Sequence, residues 1–318
     1  MKILVTGAAG FIGSHLCEEL LLNSSYEIVG IDHGIDQNAL KVRNIKKIVN
    51  HQRFKLIDLN LLTDDLSPIL ENMNMVYHLA GIPGVRSSWG NEFETYLLHN
   101  SLVTQRLLEA CKGRSLDKFV YISTSSIYGE KEGRVTENLL PTPLSPYGIS
   151  KLSGEHLCNV YYQYHQIPVV ILRYFTVYGP RQRTDMAFHR FIKNMIIGRP
   201  LTIFGDGKQI RDFTYVKDCV KATAAISSAS QVIGETINIG GKERASILEI
   251  ISFLEDLLNK KAKLNYVKKA IGEPVSTWAD ITKASHLLNY KPTTSLREGL
   301  KEEIKDLTQL YLPGGDSH

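Results

Sequence analysis

Long apolar runs, paired cysteines and dense basic tracts are all missing from this 318-residue chain, and each absence removes a class of function. No stretch approaches the roughly 20 apolar residues that a membrane-spanning helix needs, so a membrane protein is not expected. The chain opens Lys2-Ile-Leu-Val-Thr-Gly7 and breaks into glycines at once, too soon for a secretory signal. Four cysteines, Cys17, Cys111, Cys158 and Cys219, stand far apart on segments that read as helices, with no spacing that binds zinc or forms a redox pair. They read as reduced thiols of a cytoplasmic protein, and no metal is expected. A net charge of +4 and a pI near 8.7, without Lys/Arg runs interleaved with aromatics, argue against nucleic acid and leave room for a small anion. Repeats, low-complexity tracts and flexible linkers are also absent, so two lobes would share a cleft instead of moving freely.

What is present is a composition of 43% hydrophobic and 22% charged residues, enough for a full core in one large or two modest domains. Lys2 to Thr6 is a β-branched run ending in Gly7-Ala-Ala-Gly10-Phe11-Ile12-Gly13, and Ser14 to Leu22 follows at helical spacing. Strand, glycine turn and helix suit a dinucleotide: Gly7 allows the turn, Gly10 admits a pyrophosphate to the helix N-terminus, and Gly13 lets helix and strand pack closely. A second run, Tyr26 to Ile31, ends at Asp32, whose carboxylate suits the ribose 2′-hydroxyl of NAD and repels an NADP phosphate. The competing reading is a tight turn with a solvated or capping Asp32.

Phe54 to Ile57 ends at Asp58-Leu59, and Met75 to Leu79 ends at Ala80-Gly81. Small residues at strand ends leave room for a cofactor, or make plain turns. Asp58 is suited either to adenine or to capping its own turn. The next loop carries Arg86, which can pair with a carboxylate or phosphate or be an ordinary surface arginine. Phe93 to Lys112 reads as one long packing helix interrupted by Asn100 and Gln105. Phe119 to Ile122 is a buried strand that ends in the hydroxyl cluster Ser123-Thr124-Ser125-Ser126, either a serine-rich turn or a set of groups for holding a sugar hydroxyl.

Ser145-Pro146-Tyr147-Gly148-Ile149-Ser150-Lys151 has an N-cap, a proline suited to the first helical position, and a phenol and an ammonium one turn apart. A neighbouring cation draws a phenol down from its reference pKa of about 10, which makes tyrosine a usable acid or base. Alone, Tyr-x-x-x-Lys equally describes a solvated helix face. That helix runs to about His165, and a sixth strand from Pro168 to Arg173 completes an alternating βα pattern with parallel strands. Residues 1–175 therefore read as one dinucleotide-binding domain. Residues 176–318 read as a smaller α+β lobe, with some segments returning to the first domain. In that lobe Arg181, Arg183 and Arg211 suggest an anionic ligand or scattered surface charge, Gly205-Asp206-Gly207 reads as a hairpin-type turn, and the tail from Gly314 to His318 reads as disordered.

Thr6-Gly-Ala-Ala-Gly-Phe-Ile-Gly13, His78-Leu-Ala-Gly, Ser123-Thr-Ser-Ser, Tyr147-x-x-x-Lys151, Arg173-Tyr-Phe and Arg211-Asp-Phe together resemble the extended short-chain dehydrogenase/reductases that act on nucleotide sugars. Gly-Val-Arg86-x-Ser, Thr124-Ser125-Ser126 and Arg173-Tyr-Phe-Thr176-Val-Tyr-Gly-Pro-Arg181 narrow the resemblance to UDP-glucuronate 4-epimerases. The resemblance implies a Rossmann-type doubly wound parallel sheet with a smaller C-terminal α+β substrate lobe. It also implies tightly bound NAD regenerated in each turnover, a UDP-sugar substrate and a homodimer.

By the same resemblance Tyr147 is the acid/base, Lys151 lowers its pKa and Thr124 holds the same sugar hydroxyl. Gly7, Gly10, Phe11, Ile12, Gly13, Asp32, Asp58, Leu59, Leu79, Ala80, Tyr147 and Lys151 line the cofactor. Arg86, Thr124, Ser125, Ser126, Tyr147, Thr176, Arg181, Gln209, Arg211 and Glu273 meet the substrate, with Arg181, Gln209 and Arg211 at the diphosphate and ribose and Glu273 at the uridine ribose. Related decarboxylases place Glu where Ser126 stands, and 4,6-dehydratases place an Asp-Glu pair at Ser125 and Ser126. Hydroxyls there suit holding a uronate carboxylate against decarboxylation, with Arg86 as a further partner. Open alternatives are a 4-epimerase of UDP-hexose or UDP-N-acetylhexosamine, a UDP-glucuronate decarboxylase, and a non-catalytic nucleotide sensor or scaffold.

Overall fold

Short β-branched and aromatic runs become the strands β1 (Lys2–Thr6), β2 (Glu27–Asp32), β3 (Phe54–Asp58), β4 (Met75–His78), β5 (Lys118–Thr124), β6 (Val169–Tyr174), β7 (Thr176–Tyr178), β8 (Leu201–Phe204), β9 (Ile210–Tyr215), β10 (Thr236–Ile239), β11 (Glu243–Ser246) and β12 (Leu264–Val267). Between them lie α1 (Phe11–Leu21), α2 (Ala39–Ile45), α3 (Ser67–Leu70), α4 (Phe93–Tyr96), α5 (Val103–Cys111), α6 (Pro146–His165), α7 (Ala187–Ile196), α8 (Val216–Ala225), α9 (Ile247–Leu258), α10 (Thr282–Leu288) and α11 (Leu296–Tyr311). The computed structural model describes residues 1–312, so the expectation for Gly314 to His318 lies outside the described residues.

Seven strands form one sheet in the order β10-β6-β5-β4-β1-β2-β3, and every neighbouring pair is parallel. Helices cover both faces, which is why β4, β5 and β6 read as continuous apolar runs instead of alternating ones. Leu16, Leu20, Val220 and Ile226 pack on one face. Leu107, Leu108, Cys158 and Tyr161 pack on the other. The strand order reverses between β1 and β4, and the crevice beyond their carboxyl ends is where a sheet of this kind takes a ligand. After residue 175 the chain returns to this sheet through β10, while α8 packs on α1. The remainder builds a three-stranded sheet, β11-β9-β7, and a two-stranded one, β12-β8.

Two expectations need correcting. Gly205 and Gly207 both have positive φ, +71° and +76°, but the turn does not close a hairpin. β8 pairs with β12 and β9 pairs with β7 and β11, so the glycines pass the chain from one small sheet to the other. The long helix expected from Phe93 to Lys112 is also interrupted, by a π-helical turn at Leu97–Leu102 between α4 and α5. Asn100 explains the interruption. Its amide donates to the Ile82 carbonyl and the Ser150 hydroxyl, both at 2.9 Å, and its carbonyl accepts from the Ile82 N–H at 2.8 Å. The wider turn aims this side chain at the loop after β4 and at α6 together.

Candidate active site

At the end of β1 the backbone itself is the binding surface. Gly7 has φ +69°, and a Cβ there would lie 3.0 Å from the Ala80 nitrogen. A Cβ on Gly13 would lie 2.0 Å from the Gly7 carbonyl oxygen, so α1 begins against the turn only because residue 13 lacks a side chain. Gly10 is the N-cap of α1, and Phe11 and Ile12 occupy its first turn, whose N–H groups have no helical partner and face outward as anion donors. The Ala80 N–H donates to the Thr6 hydroxyl at 3.1 Å, which draws Leu79 and Ala80 at the end of β4 alongside Gly7.

Asp32 closes the far side of this crevice. Its carboxylate accepts from the Ala9 and His33 amides, each at 2.9 Å, and pairs with Lys41 at 2.7 Å. The Leu59 N–H donates to the Asp32 carbonyl at 2.8 Å. The Asp58 carboxylate takes the capping role of its two readings: it accepts from the Gly34 and Ile35 amides at 3.0 and 2.9 Å, and those bonds hold it below the usual carboxylate range. Gly7, Gly10 and Gly13 leave a cradle that any side chain would fill, and Asp32 stands one strand away. This arrangement fits a dinucleotide.

The hydroxyl end of β5 meets the start of α6. Ser145 caps that helix by accepting from the Gly148 N–H at 3.1 Å, and Pro146 fills its first turn. A Cβ on Gly148 would come within 2.6 Å of the Ser126 carbonyl oxygen, so the bare glycine lets the helix touch the Ser125–Ile127 turn. That contact brings Tyr147 to the strand end, where the Thr124 hydroxyl lies close enough to influence the phenol. The Ser126 N–H donates to the Thr124 hydroxyl at 3.2 Å, and the Thr124 hydroxyl donates to the Ser126 Oγ at 3.3 Å. Thr176 lies two residues beyond Tyr174, which sits opposite Thr124 in the β5–β6 register.

The electrostatics differ from the sequence expectation. Burial pushes the Tyr147 phenol above its ordinary range, and the nearby Thr124 hydroxyl and the Arg183 charge oppose that rise without reversing it. Lys151 follows one helical turn after the phenol on α6. Its ammonium sits 4.2 Å from the Tyr121 ring centroid, and burial depresses its own pKa to about 8. Desolvation outweighs a cation that is itself partly neutralised.

The remaining substrate residues divide. Arg86 reaches into the small lobe: its Nε donates to Glu273 at 2.6 Å and its guanidinium stacks 4.0 Å over Phe204. It does not join Ser125 and Ser126 around one carboxylate as expected, because its fixed partners belong to the other lobe. Gln209 lines the same small cavity as Arg86, Arg190 and Phe204, and Arg211 reaches Glu273 at 3.5 Å. Arg181 is turned away from the expected diphosphate contact. A positive φ of 66° swings it to α1, where it donates to Ser14 at 3.1 Å and pairs with Glu18 at 2.5 Å.

Two residues stand outside the expected substrate and cofactor sets. Arg183 is held by both oxygens of Asp185 at 3.0 and 2.7 Å, and its charge is felt at Tyr147. It belonged to the arginine-rich run, but only the turn at Arg181 separates the two: Arg181 is bound to α1, whereas Arg183 stays more exposed beside Asp185. Asn100, a polar residue on an apolar face of a packing helix, was the visible signal for the second. Among the described residues no cluster of three or more His, Cys, Asp or Glu is arranged to hold a metal.

Comparison with known proteins agrees with this geometry. A model of the NAD dependent epimerase/dehydratase family matches residues 3–240. The crystal structure of UDP-glucuronic acid 4-epimerase from Bacillus cereus, in complex with UDP-glucuronic acid and NAD, is 60% identical and covers 98% of this chain and 100% of its own, with a TM-score of 0.96. An uncharacterised UDP-glucose epimerase of Bacillus subtilis (strain 168) is 58% identical over 313 residues, spanning 98% of this chain and 99% of that protein. The UDP-glucuronate 4-epimerase of Thermodesulfobacterium geofontis (strain OPF15) is 40% identical over 308 residues, spanning 95% of this chain and 94% of the relative.

Proposed function

This chain belongs to the NAD dependent epimerase/dehydratase family, and from that premise we propose that it is an isomerase that interconverts UDP-glucuronate and UDP-galacturonate by inversion at carbon 4. The observation that carries the reading is the packing of the Tyr147 helix start, through Gly148, on the Thr124–Ser125–Ser126 hydroxyl turn at the end of β5. Bound NAD supplies a two-electron acceptor for the carbinol and returns the electrons to the opposite face. Gly7, Gly10, Phe11, Ile12 and Gly13 would hold its pyrophosphate, Asp32 its ribose, and Leu79 and Ala80 would border it at the switch point.

The chain's own groups then have separate tasks. Tyr147 takes the proton of the 4-hydroxyl and gives it back after the sugar has turned, and Thr124 fixes that hydroxyl. Lys151, one turn along α6 from Tyr147, contributes positive charge to the site. The intermediate of a 4-oxidised uronate is a β-keto acid, prone to lose carbon dioxide. Ser125, Ser126 and Arg183 are placed to hold its carboxylate, and none of them is the extra acid that elimination at neighbouring carbons requires. A neutral UDP-hexose would leave the Arg183 charge without a ligand partner, which favours the uronate over the UDP-glucose named for the Bacillus subtilis relative. Incubation with UDP-glucuronate and no added cofactor tests this: UDP-galacturonate of equal mass by NMR and mass spectrometry is expected, and release of carbon dioxide or exclusive turnover of UDP-glucose refutes it.

Residues 1–175 form the cofactor domain in this proposal and 176–318 the nucleotide-sugar lobe, with β10 and α8 serving the first domain. Leu97 and Leu102 beside α5, and Ile149, Val160 and Tyr164 on α6, leave apolar surface exposed on two adjacent helices. A second copy covering them gives a homodimer, expected as twice the 35.7 kDa chain mass by light scattering. All four thiols are buried and free, which suits a reducing cytoplasm, and among the described residues no helix is long and apolar enough to cross a membrane.

A further inference from the structure

Apart from the acid/base pair, one carboxylate is wedged between two arginines of different lobes. Glu273, on the loop between β12 and α10, accepts from Arg86 Nε through Oε1 at 2.6 Å and from Arg211 Nη2 through Oε2 at 3.5 Å. Arg86 comes from the loop after β4 and is braced on Phe204, whereas Arg211 comes from β9, so their positions are set by separate parts of the fold. Two guanidinium groups converging on one point, with Arg86 also lining a small cavity beside Phe204, have the chemistry of a diphosphate receptor. Here the receptor already holds an anion from its own chain.

The backbone after this anion is pinned to β9, the Ile210 N–H donating to the Val275 carbonyl at 3.0 Å and the Thr277 N–H to the Ile210 carbonyl at 3.2 Å, so it is the Glu273 side chain that is free to swing. Ile271 and Val275 on either side are 73% and 54% exposed. Gly272, at φ +82°, lies against the Leu144 carbonyl and the Trp89 ring, and the Val275 N–H donates to Glu130 at 2.6 Å. Release of Glu273 therefore breaks two ion pairs and little packing. The side chain of Arg211 is only 13% exposed, so removal of the carboxylate with no ligand present would leave a largely desolvated cation unpaired.

Resting on the nucleotide-sugar reading above, we infer that Glu273 is an internal competitor for the diphosphate: it holds Arg86 and Arg211 until the ligand's phosphates displace it, and it reclaims them as product leaves. The residue thus weakens the hold on the nucleotide and hastens its release. Its effect is confined to ligands that carry phosphate, because uridine has no anion to exchange for the carboxylate.

Calorimetric titration of the NAD-loaded protein with UDP and with uridine tests this. Glu273→Gln, nearly the same shape without charge, is expected to bind UDP about three- to tenfold tighter, the range for two partly exposed ion pairs, and to bind uridine unchanged. KM for UDP-glucuronate should fall by the same factor with no rise in kcat, and Glu273→Ala must shift UDP affinity in the same direction. Weaker binding of UDP and uridine together by Glu273→Gln would assign the residue to the ribose and overturn the inference while sparing the nucleotide-sugar reading. Failure of the unsubstituted protein to bind UDP would overturn both.

Discussion

The cofactor crevice and the substrate mouth of this protein are built from different materials. Around Gly7, Gly10 and Gly13 the surface is backbone, and its shape follows from absent side chains and free helical N–H groups. At the proposed mouth the surface is long charged side chains, Arg86, Arg183, Arg211 and Glu273, each already paired with another charge. A backbone surface has one shape and little to rearrange. A surface of ion pairs is a set of exchanges, in which each ligand group must replace a partner from the chain. The first suits a cofactor that stays through turnover, and the second suits a substrate that must enter, turn and leave.

Gly13→Ala breaks the backbone side of this contrast and carries the largest expected effect. The new methyl would lie 2.0 Å from the Gly7 carbonyl, and both groups belong to main chain that cannot step aside. Overpacking of this kind costs about 1–3 kcal/mol of stability. Displacement of α1 from the turn should abolish retention of NAD through purification, read as loss of bound nucleotide absorbance together with loss of activity. An alanine variant that keeps its cofactor would show that the cradle is softer than its geometry states.

Arg183→Ala acts on the other side. Loss of one charge-assisted contact corresponds to about 1.5–3 kcal/mol, or roughly a 10- to 150-fold drop in kcat/KM for the uronate. NAD retention should be unchanged, and turnover of a neutral UDP-hexose should fall much less. Equal losses on both sugars would remove Arg183 from carboxylate binding.

The pH profile sharpens the comparison at about a tenfold effect. Burial holds Lys151 near 8, below the ordinary lysine value of 10.5, so the folded protein loses this proton first. Above about pH 8 this cation disappears from the site, and kcat/KM should fall about tenfold per unit. Stability moves the other way. Between pH 8 and 10.5 the unfolded chain binds more protons at this residue than the folded one, so this group's contribution to stability rises with pH across that window. Parallel measurement of kcat/KM and urea midpoints from pH 7 to 10 should show the opposed trends. A parallel decline of both would trace the activity loss to unfolding.

The same division explains what could be read in the chain. The glycine turn, the strand ending at Asp32, the capped Tyr147 helix and all four helical cysteines were legible, because each rests on local rules: a Cβ clash, a period, a cap. The failures were all long-range. The Gly205–Gly207 turn is locally ideal for a hairpin, yet β12, some 60 residues on, claims β8. Asn100 appeared as a blemish on a packing helix because its partners, Ile82 and Ser150, lie on other elements. The raised Tyr147 pKa depends on burial, which the spacing to Lys151 does not reveal.

Arg181 and Arg183 make the smallest and most discriminating test, since they are alternate residues of one loop with opposite assignments. The Arg181 side chain is 9% exposed and bound to Ser14 and Glu18, so it fastens the loop to α1 and its guanidinium is committed to that helix. Arg181→Met keeps the aliphatic bulk and removes the pair. Glu18 retains 25% exposure and can be hydrated, which limits the loss to about 1–3 kcal/mol, or a few degrees in Tm. With the loop still tied through the Arg181 N–H to Asp306 at 2.9 Å and the Gly179 N–H to Glu303 at 2.9 Å, Arg183 should stay in place and kcat/KM should change by no more than about twofold. A drop as large as that of Arg183→Ala, with Tm unchanged, would return Arg181 to the diphosphate site and show that the loop turns inward when nucleotide binds.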